Sequence, residues 1–255
     1  MTMLDSLVLA GPPPLSAFAR PALFLDLDGT LASIQPRPSD VKPEAWRTRL
    51  LAQMRARLGG RLAVISGRTL EEVDDILEGS VPVVAAVHGL VRRGPDGAIS
   101  ATLPPPGLDG ALSDATALER RLPGVTVEPK GPSLALHYRQ APDLARQAVD
   151  AAEAIGARWS LRVQPGDMVV ELCAPGQDKG TAVLAFMASA PFRGATPLFV
   201  GDDLTDEAGF EAAASLGGIG VLVGGPRETA AKARLADVDA VRAWLEQGLA
   251  AGPDR

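Results

Sequence analysis

Four short apolar runs, each stopping at polar residues, constrain the fold of this chain more than any other feature. Residues 22–25 stop at Asp26-Leu27-Asp28-Gly29-Thr30, and 62–65 stop at Ser66-Gly67-Arg68. Residues 83–87 stop at His88-Gly89, and 198–200 at Gly201-Asp202-Asp203. Uninterrupted apolar runs of this length read as strands buried on both faces, the habit of a parallel sheet. Helical patterns lie between them. Trp46, Leu50, Met54 and Leu58 fall four apart, and Leu70, Val73, Ile76 and Leu77 make a second apolar face. Thr205 is read as the N-cap of a helix through Phe210 and Ala214. Residues 221–223 read as the last strand, followed by Gly224-Gly225-Pro226 and a final helix. This rhythm predicts an α/β fold with a Rossmann-like, doubly wound, mostly parallel sheet.

The middle of the chain departs from the rhythm. Pro104-Pro105-Pro106-Gly107 reads as a break, and 108–122 as a helix. Strands at 125–127 and 134–137 follow, joined by a turn at Gly131-Pro132, and then a helix at 144–155. A hairpin of 161–163 and 169–172 turns at Pro165-Gly166-Asp167. The insert therefore reads αββαββ, an α/β cap. The domain boundaries expected are 1–107 with 176–255 for a catalytic core and 108–175 for the cap. Hinges are expected near 104–107 and 175–176.

Composition narrows the function. The chain has 255 residues, 46% of them hydrophobic, and a formal net charge of −6. An acidic chain is a poor non-specific ligand for nucleic acid or anionic lipid, so neither is expected as a partner. The single cysteine, Cys173, excludes an internal disulfide and suits a reducing, cytoplasmic setting. The apolar run 7–10 has no basic residue before it, which argues against a secretory signal. The Pro-rich stretch that ends the first 20 residues reads as a flexible lead-in. No run of about 18 apolar residues predicts a membrane span. A monomer is the default expectation.

In open α/β sheets, ligands sit beyond the C-terminal ends of the strands, where these polar clusters would gather. Asp26 and Asp28 lie two apart at a strand end and point to one side. Two like charges there are costly unless a cation or a reaction uses them. Asp26 suits a nucleophile and Asp28 a general acid/base. Asp26, Asp202 and the main-chain carbonyl of Asp28 would hold Mg2+. Asp202, Asp203, Asp206 and Glu207 put four carboxylates within six residues, more than helix capping requires. Asp203 and Asp206 are expected to orient waters or Lys179. Lys179 near a helix N-terminus opposes the macrodipole and so suggests a task, neutralising phosphoryl charge. Ser66, Gly67, Thr30 and Arg68 are candidate phosphate contacts, although a serine or arginine in a first turn can be plainly structural. His88 is open between a structural histidine and a substrate contact. In the insert, Glu128, Lys130, His137, Arg139 and Glu171 fit either a half-buried sheet or a sugar-binding lid, and periodicity does not choose between them.

These residues resemble the four motifs of the haloacid dehalogenase (HAD) phosphohydrolase superfamily: Asp26-Leu27-Asp28-Gly29-Thr30, Ser66-Gly67-Arg68, Lys179-Gly180 and Gly201-Asp202-Asp203. Within it the chain resembles the bacterial trehalose-6-phosphate phosphatases. The phrases that carry this are Val87-His88-Gly89, Lys130-Gly131, Leu136-His137-Tyr138-Arg139-Gln140-Ala141-Pro142 and Gly201-Asp202-Asp203-Leu204-Thr205-Asp206-Glu207. The resemblance runs from about residue 21 to 245. It implies Mg2+-dependent hydrolysis of trehalose 6-phosphate in trehalose biosynthesis. Asp26 would be the nucleophile, Asp28 the acid/base, Ser66 and Lys179 phosphate ligands, and Asp202 a metal ligand. Glu128, Lys130 and Glu171 become sugar contacts. Cys173 stands where that family usually carries a basic residue, and the nearby proline is displaced by one position. Three rivals share part of the motif set: a phosphatase for another sugar phosphate such as sucrose 6-phosphate, a phosphomutase, and a catalytically silent sugar-phosphate sensor. Retention of both Asp26 and Asp28 argues against the sensor. A dinucleotide-binding dehydrogenase is disfavoured, because no Gly-x-Gly-x-x-Gly follows the first strand.

Overall fold

The structure is a computed structural model that describes residues 9–250. The chain forms two compact units, one made of the residues up to Ser100 and those from Asp178 on, the other of Ala101–Gln177.

In the first unit the expected strands form: β1 (Pro21–Leu25), β2 (Leu62–Ile65) and β3 (Val84–Ala86). They are followed in sequence by β4 (Val91–Arg93) and β5 (Ile99–Ala101), and after the insert by β10 (Thr196–Gly201), β11 (Ile219–Val223) and β12 (Ala233–Leu235). Among the described residues these make one eight-stranded sheet in the order β12-β11-β10-β1-β2-β3-β4-β5. The pairings from β12 to β3 are parallel, and β3 with β4 is antiparallel. β1 sits at the centre, where the chain winds one way through β2 and β3 and the other way through β10 and β11. That reversal is where an open α/β sheet leaves a crevice.

Helices α1 (Ala45–Arg57), α2 (Leu70–Leu77), α5 (Lys179–Met187), α6 (Glu207–Ser215) and α7 (Val238–Ala250) belong to this unit. Local chemistry sets their starts. Thr69 and Glu72 form a reciprocal capping box on α2, as Asp178 and Thr181 do on α5. Phe24, Phe186 and Phe192 stack between the sheet and α5, with the closest ring centroids 5.4 Å apart. Phe199 meets Phe210 of α6 edge-on at 5.7 Å.

The structure departs from the sequence pattern at several places. Thr205 is not a helix cap. Asp203 caps a single 3-10 turn, Leu204–Asp206, and α6 starts after it. Residues 221–223 are not the last strand, because β12 follows them. Its short Ala-Arg-Leu sequence carries no alternation to read, but it pairs in parallel with β11. The β4 and β5 strands give no sequence signal, since they hold partly buried or exposed residues rather than an apolar run. The described part of the Pro-rich lead-in, from residue 9, is packed rather than flexible. From residue 9 onward, Ala10 O accepts from Arg234 N, Pro13 O accepts from Trp244 Nε1, and Leu15 is buried against Gly248. The start of the apolar run 7–10 lies outside the described residues.

The second unit holds α3 (Leu108–Glu119), β6 (Thr126–Pro129), β7 (Ser133–His137), α4 (Ala145–Trp159), β8 (Arg162–Gly166) and β9 (Val169–Cys173), the expected αββαββ order. Its antiparallel sheet runs β6-β7-β9-β8. Leu134, Leu136, Val170 and Leu172 share one face and pack with Ala111, Ala115, Ala148 and Ala152 of the two helices. Small residues let helix and sheet approach closely: a Cβ on Gly156 would collide with Val163. Glu128, Ala135, Glu171 and Gln164 lie opposite one another in a row, so all four side chains leave the other face. Of the residues expected at hinges, Gly107 starts α3 against Trp159, and Gly176 adopts φ +89°.

Candidate active site

The strand ends of the first unit bring the core candidates together. Asp26 follows β1 and is fixed by its N–H to Val200 O at 2.9 Å. Its carboxylate lies 2.9 Å from Lys179 Nζ at the start of α5, and Lys179 Nζ is 2.7 Å from Asp206 Oδ1. All three side chains are buried. The second oxygen of Asp206 accepts from the N–H groups of Asp202 and Asp203, both at 2.9 Å. Asp206 thus engages both of its oxygens and holds the loop after β10 in place. Asp26, Asp202 and Asp206 each offer an oxygen within 4.8 Å of the others.

Electrostatics makes this cluster unbalanced. Burial, with Asp206 and Asp202 adding to it, pushes the Asp26 carboxyl well above its ordinary range against the pull of Lys179. Burial and the neighbouring Asp206 raise the Asp202 carboxyl to about 7. Burial alone would lower the Lys179 ammonium, but Asp206 and Asp26 outweigh it and raise it. One ammonium stands against three carboxylates, a deficit that a divalent cation would fill. The donors are all oxygen, which suits a hard ion. Asp202 Oδ1 is buried with no hydrogen-bond partner among the described residues, and a Cβ on Gly29 would overlap the Asp202 carboxylate. Gly29, at φ +78°, makes the turn that leaves this room. The residues present therefore fit such an ion.

The second and third strand ends flank the cluster. Ser66 is buried after β2, and its Oγ accepts from Arg68 N at 3.2 Å. Arg68 grips Asp28 with two hydrogen bonds of 2.7 Å. It also lies 3.6 Å from Glu72. His88 takes a left-handed conformation, φ 53°, and its ring covers Gly67 so closely that a Cβ there would collide. Thr30 is fully buried, with a hydroxyl that no group among the described residues partners.

In the second unit, Glu128 accepts from His137 at 2.7 Å and lies 3.6 Å from Lys130. Burial works to raise the Glu128 carboxyl, but His137 and Lys130 outweigh it and hold it below its ordinary value. Glu171 is buried and accepts from Ser133 Oγ at 2.6 Å. Arg139 stands apart, bound to Asp167 at the β8–β9 turn. Cys173 is buried on β9, opposite Arg162, where burial and Glu171 push its thiol up to about 12.

Two contributors gave no sequence signal. Arg227 bonds the carbonyl of Asp203 at 2.9 Å and pairs with Glu207, tying the acidic loop to the segment after β11. Arg47, buried in α1, donates to Leu31 O at 3.2 Å and so supports the turn after Asp28. An arginine beyond a Gly-Gly-Pro turn, or on a helix, reads from sequence as a solvated charge.

The sequence pattern described as Trehalose-phosphatase matches residues 24–239. The chain belongs to the trehalose-phosphatase family. It is 40% identical to the Trehalose-6-phosphate phosphatase of Escherichia coli (strain K12) over 240 residues, 93% of this chain and 89% of that protein. The C-terminal domain of the trehalose-6-phosphate phosphatase of C. albicans shares its fold with a TM-score of 0.85 at 19% identity, covering 95% of this chain and 99% of that one. A HAD-superfamily phosphatase from Bacteroides thetaiotaomicron does so with a TM-score of 0.58 at 18% identity, covering 93% and 98%. A phosphatase of the trehalose-phosphatase family takes a sugar phosphate. Among the described residues, no helix is long and apolar enough to cross a membrane.

Proposed function

We propose that this trehalose-phosphatase hydrolyses trehalose 6-phosphate to trehalose and phosphate in two displacements at Asp26, with Mg2+ as cofactor. The observation that carries the reading is the buried Asp26–Lys179–Asp206 chain beside Asp202, at the switch point of the sheet. An Asp26 oxygen attacks phosphorus and the bond from phosphorus to the sugar oxygen breaks. Asp28 gives its proton to that oxygen, and trehalose leaves. Asp28 then takes a proton from water, whose oxygen attacks the aspartyl-phosphate. Phosphate leaves and Asp26 is restored. Lys179 and the hydroxyls of Ser66 and Thr30 hold the phosphoryl oxygens as charge shifts among them. Asp26, Asp202 and the main-chain carbonyl of Asp28 would hold Mg2+, which supplies positive charge against the transferring phosphoryl group. Asp206, whose oxygens are already engaged, keeps Lys179 and the Asp202 loop in place.

The cap face that carries Glu128, Lys130 and Glu171 is the sugar-selecting part of this reading, with His137 orienting Glu128. The same core chemistry would serve another sugar phosphate, so the cap decides the substrate. Phosphate release from trehalose 6-phosphate, sucrose 6-phosphate, glucose 6-phosphate and mannose 6-phosphate, each with Mg2+ and with EDTA, tests both halves. The expected result is strong, Mg2+-dependent preference for trehalose 6-phosphate. Preference for another sugar would overturn the substrate and keep the chemistry. No release from any of the four would favour the sensor.

A further inference from the structure

One polar row crosses the cap sheet, and one of its members has no task. Glu128 on β6 faces Ala135 on β7, Ala135 faces Glu171 on β9, and Glu171 faces Gln164 on β8. Residues directly opposite in antiparallel strands leave the sheet on the same side. This is the side away from the helices, because Leu134, Leu136, Val170 and Leu172 of the intervening positions form the apolar core.

The partners of the two carboxylates lie within the row or next to it. His137 and Lys130 attend Glu128, and Ser133 attends Glu171. Gln164 differs. It is only 7% exposed, and its Oε1 is buried with no hydrogen-bond partner among the described residues. Burying an amide oxygen without a donor sacrifices its hydration for nothing. A core-packing role would be served by the opposite face, and Val163 and Leu172 already fill it.

We propose that Gln164 is a further sugar-selecting residue, whose side-chain amide takes one hydroxyl of the disaccharide alongside Glu128, Lys130 and Glu171. It rests on the reading that this cap face receives the sugar. The chemistry fits. A sugar hydroxyl is both donor and acceptor, and a primary amide offers the complementary pair, one carbonyl oxygen and an NH2 group. A buried group awaiting a hydroxyl discriminates strongly, since an analogue without that hydroxyl leaves the group unpaired in the complex.

The test compares wild type with Gln164→Met, which keeps the length without the amide, and Gln164→Glu, which keeps the shape. Each is assayed with Mg2+ on trehalose 6-phosphate and on p-nitrophenyl phosphate, which has no sugar, and melted in parallel. For both variants the expected result is a rise in KM for trehalose 6-phosphate of about tenfold, the value of one good hydrogen bond. Hydrolysis of p-nitrophenyl phosphate stays within about twofold, since the phosphoryl site is untouched. Unchanged KM for trehalose 6-phosphate in both variants would overturn the proposal. So would parallel losses on both substrates with a lowered melting temperature, which would make Gln164 a packing residue. Where Gln164→Met does not fold, Gln164→Glu alone decides in the same way. A wild type that cleaves p-nitrophenyl phosphate but not trehalose 6-phosphate would sink the substrate reading and this proposal with it, whatever the variants do.

Discussion

Arg68 holds both carboxylate oxygens of Asp28, with Nε to Oδ2 and Nη2 to Oδ1 each at 2.7 Å. A bidentate guanidinium fixes the plane of a carboxylate as a lysine cannot. In the proposed mechanism Asp28 must meet the leaving oxygen and later a water, so its orientation governs the chemical step. Arg68→Lys should therefore lower kcat on the order of tenfold or more while KM changes little, the signature of an interaction that matters in the transition state. Steady-state kinetics on trehalose 6-phosphate checks this. A raised KM with unchanged kcat would instead return Arg68 to the role of a phosphate contact.

Asp26→Asn separates chemistry from stability. The amide is no nucleophile, so phosphate release should fall at least about a thousandfold. Yet Asp26 is buried beside two other carboxylates, and its carboxyl is pushed upward by burial first and by Asp206 and Asp202 next. Removing one negative charge relieves that crowding. The melting temperature in EDTA should be equal to or above that of wild type. Activity near wild type would remove Asp26 from the nucleophile's position.

Lys179 is the counterweight of the cluster. Lys179→Met leaves Asp26 and Asp206 buried without a cation, and breaking a buried pair from one side costs about 3–5 kcal/mol. A fall of that order in unfolding free energy, measured by denaturant titration in EDTA, is expected together with loss of turnover. Lys179→Arg should not restore turnover, because a planar fork does not replace a compact ammonium between Asp26 and Asp206.

Much of this site was legible because strand ends are where apolar runs stop, and the runs before Asp26, Ser66 and Asp202 are unbroken. The Lys179 mismatch with the helix dipole was legible for a similar reason: a local rule is broken and a distant partner repairs it. Other features were beyond reach. The Arg68–Asp28 grip joins positions 40 apart in sequence and leaves no periodic trace. Gln164 is a single polar residue beside a proline, and its significance arises only from register, when β8 pairs with β9 and places it opposite Glu171. Asp203 rather than Thr205 caps the turn after β10 because Asp206 reaches back to two N–H groups, an arrangement several caps could satisfy on paper. Short strands such as β12 owe their existence to a neighbour rather than to their own residues.

Cys173 yields a test of its chemical environment. Its thiol is pushed up to about 12, first by burial and then by Glu171. The thiolate is the reactive form, so alkylation by iodoacetamide at pH 8 should be slow in the folded protein and fast after denaturation. The same shift has a sign for stability. The folded state keeps the proton that the unfolded thiol loses near its ordinary value, so this contribution is present in full at neutral pH and is lost as pH rises toward 12. Rapid labelling under native conditions would show that β9 opens readily.

In the proposed reading the acidic cluster couples metal binding to pH. The Asp202 carboxyl is raised to about 7 by burial and by Asp206, and the Asp26 carboxyl is raised as well. A group raised above its unfolded value contributes stability below that value and loses it as pH climbs through the folded one. In EDTA, therefore, the melting temperature should fall as pH rises from about 5 to 8, through the value of about 7 at which Asp202 ionises. In the proposed reading Mg2+ would compete with those protons for the same oxygens and bind best when they have left. The gain in melting temperature on adding Mg2+ should then be small at pH 5 and large at pH 8. Thermal melts at both pH values, with saturating Mg2+ and with EDTA, check the sign directly. A gain independent of pH would mean that the ion binds somewhere other than Asp26 and Asp202.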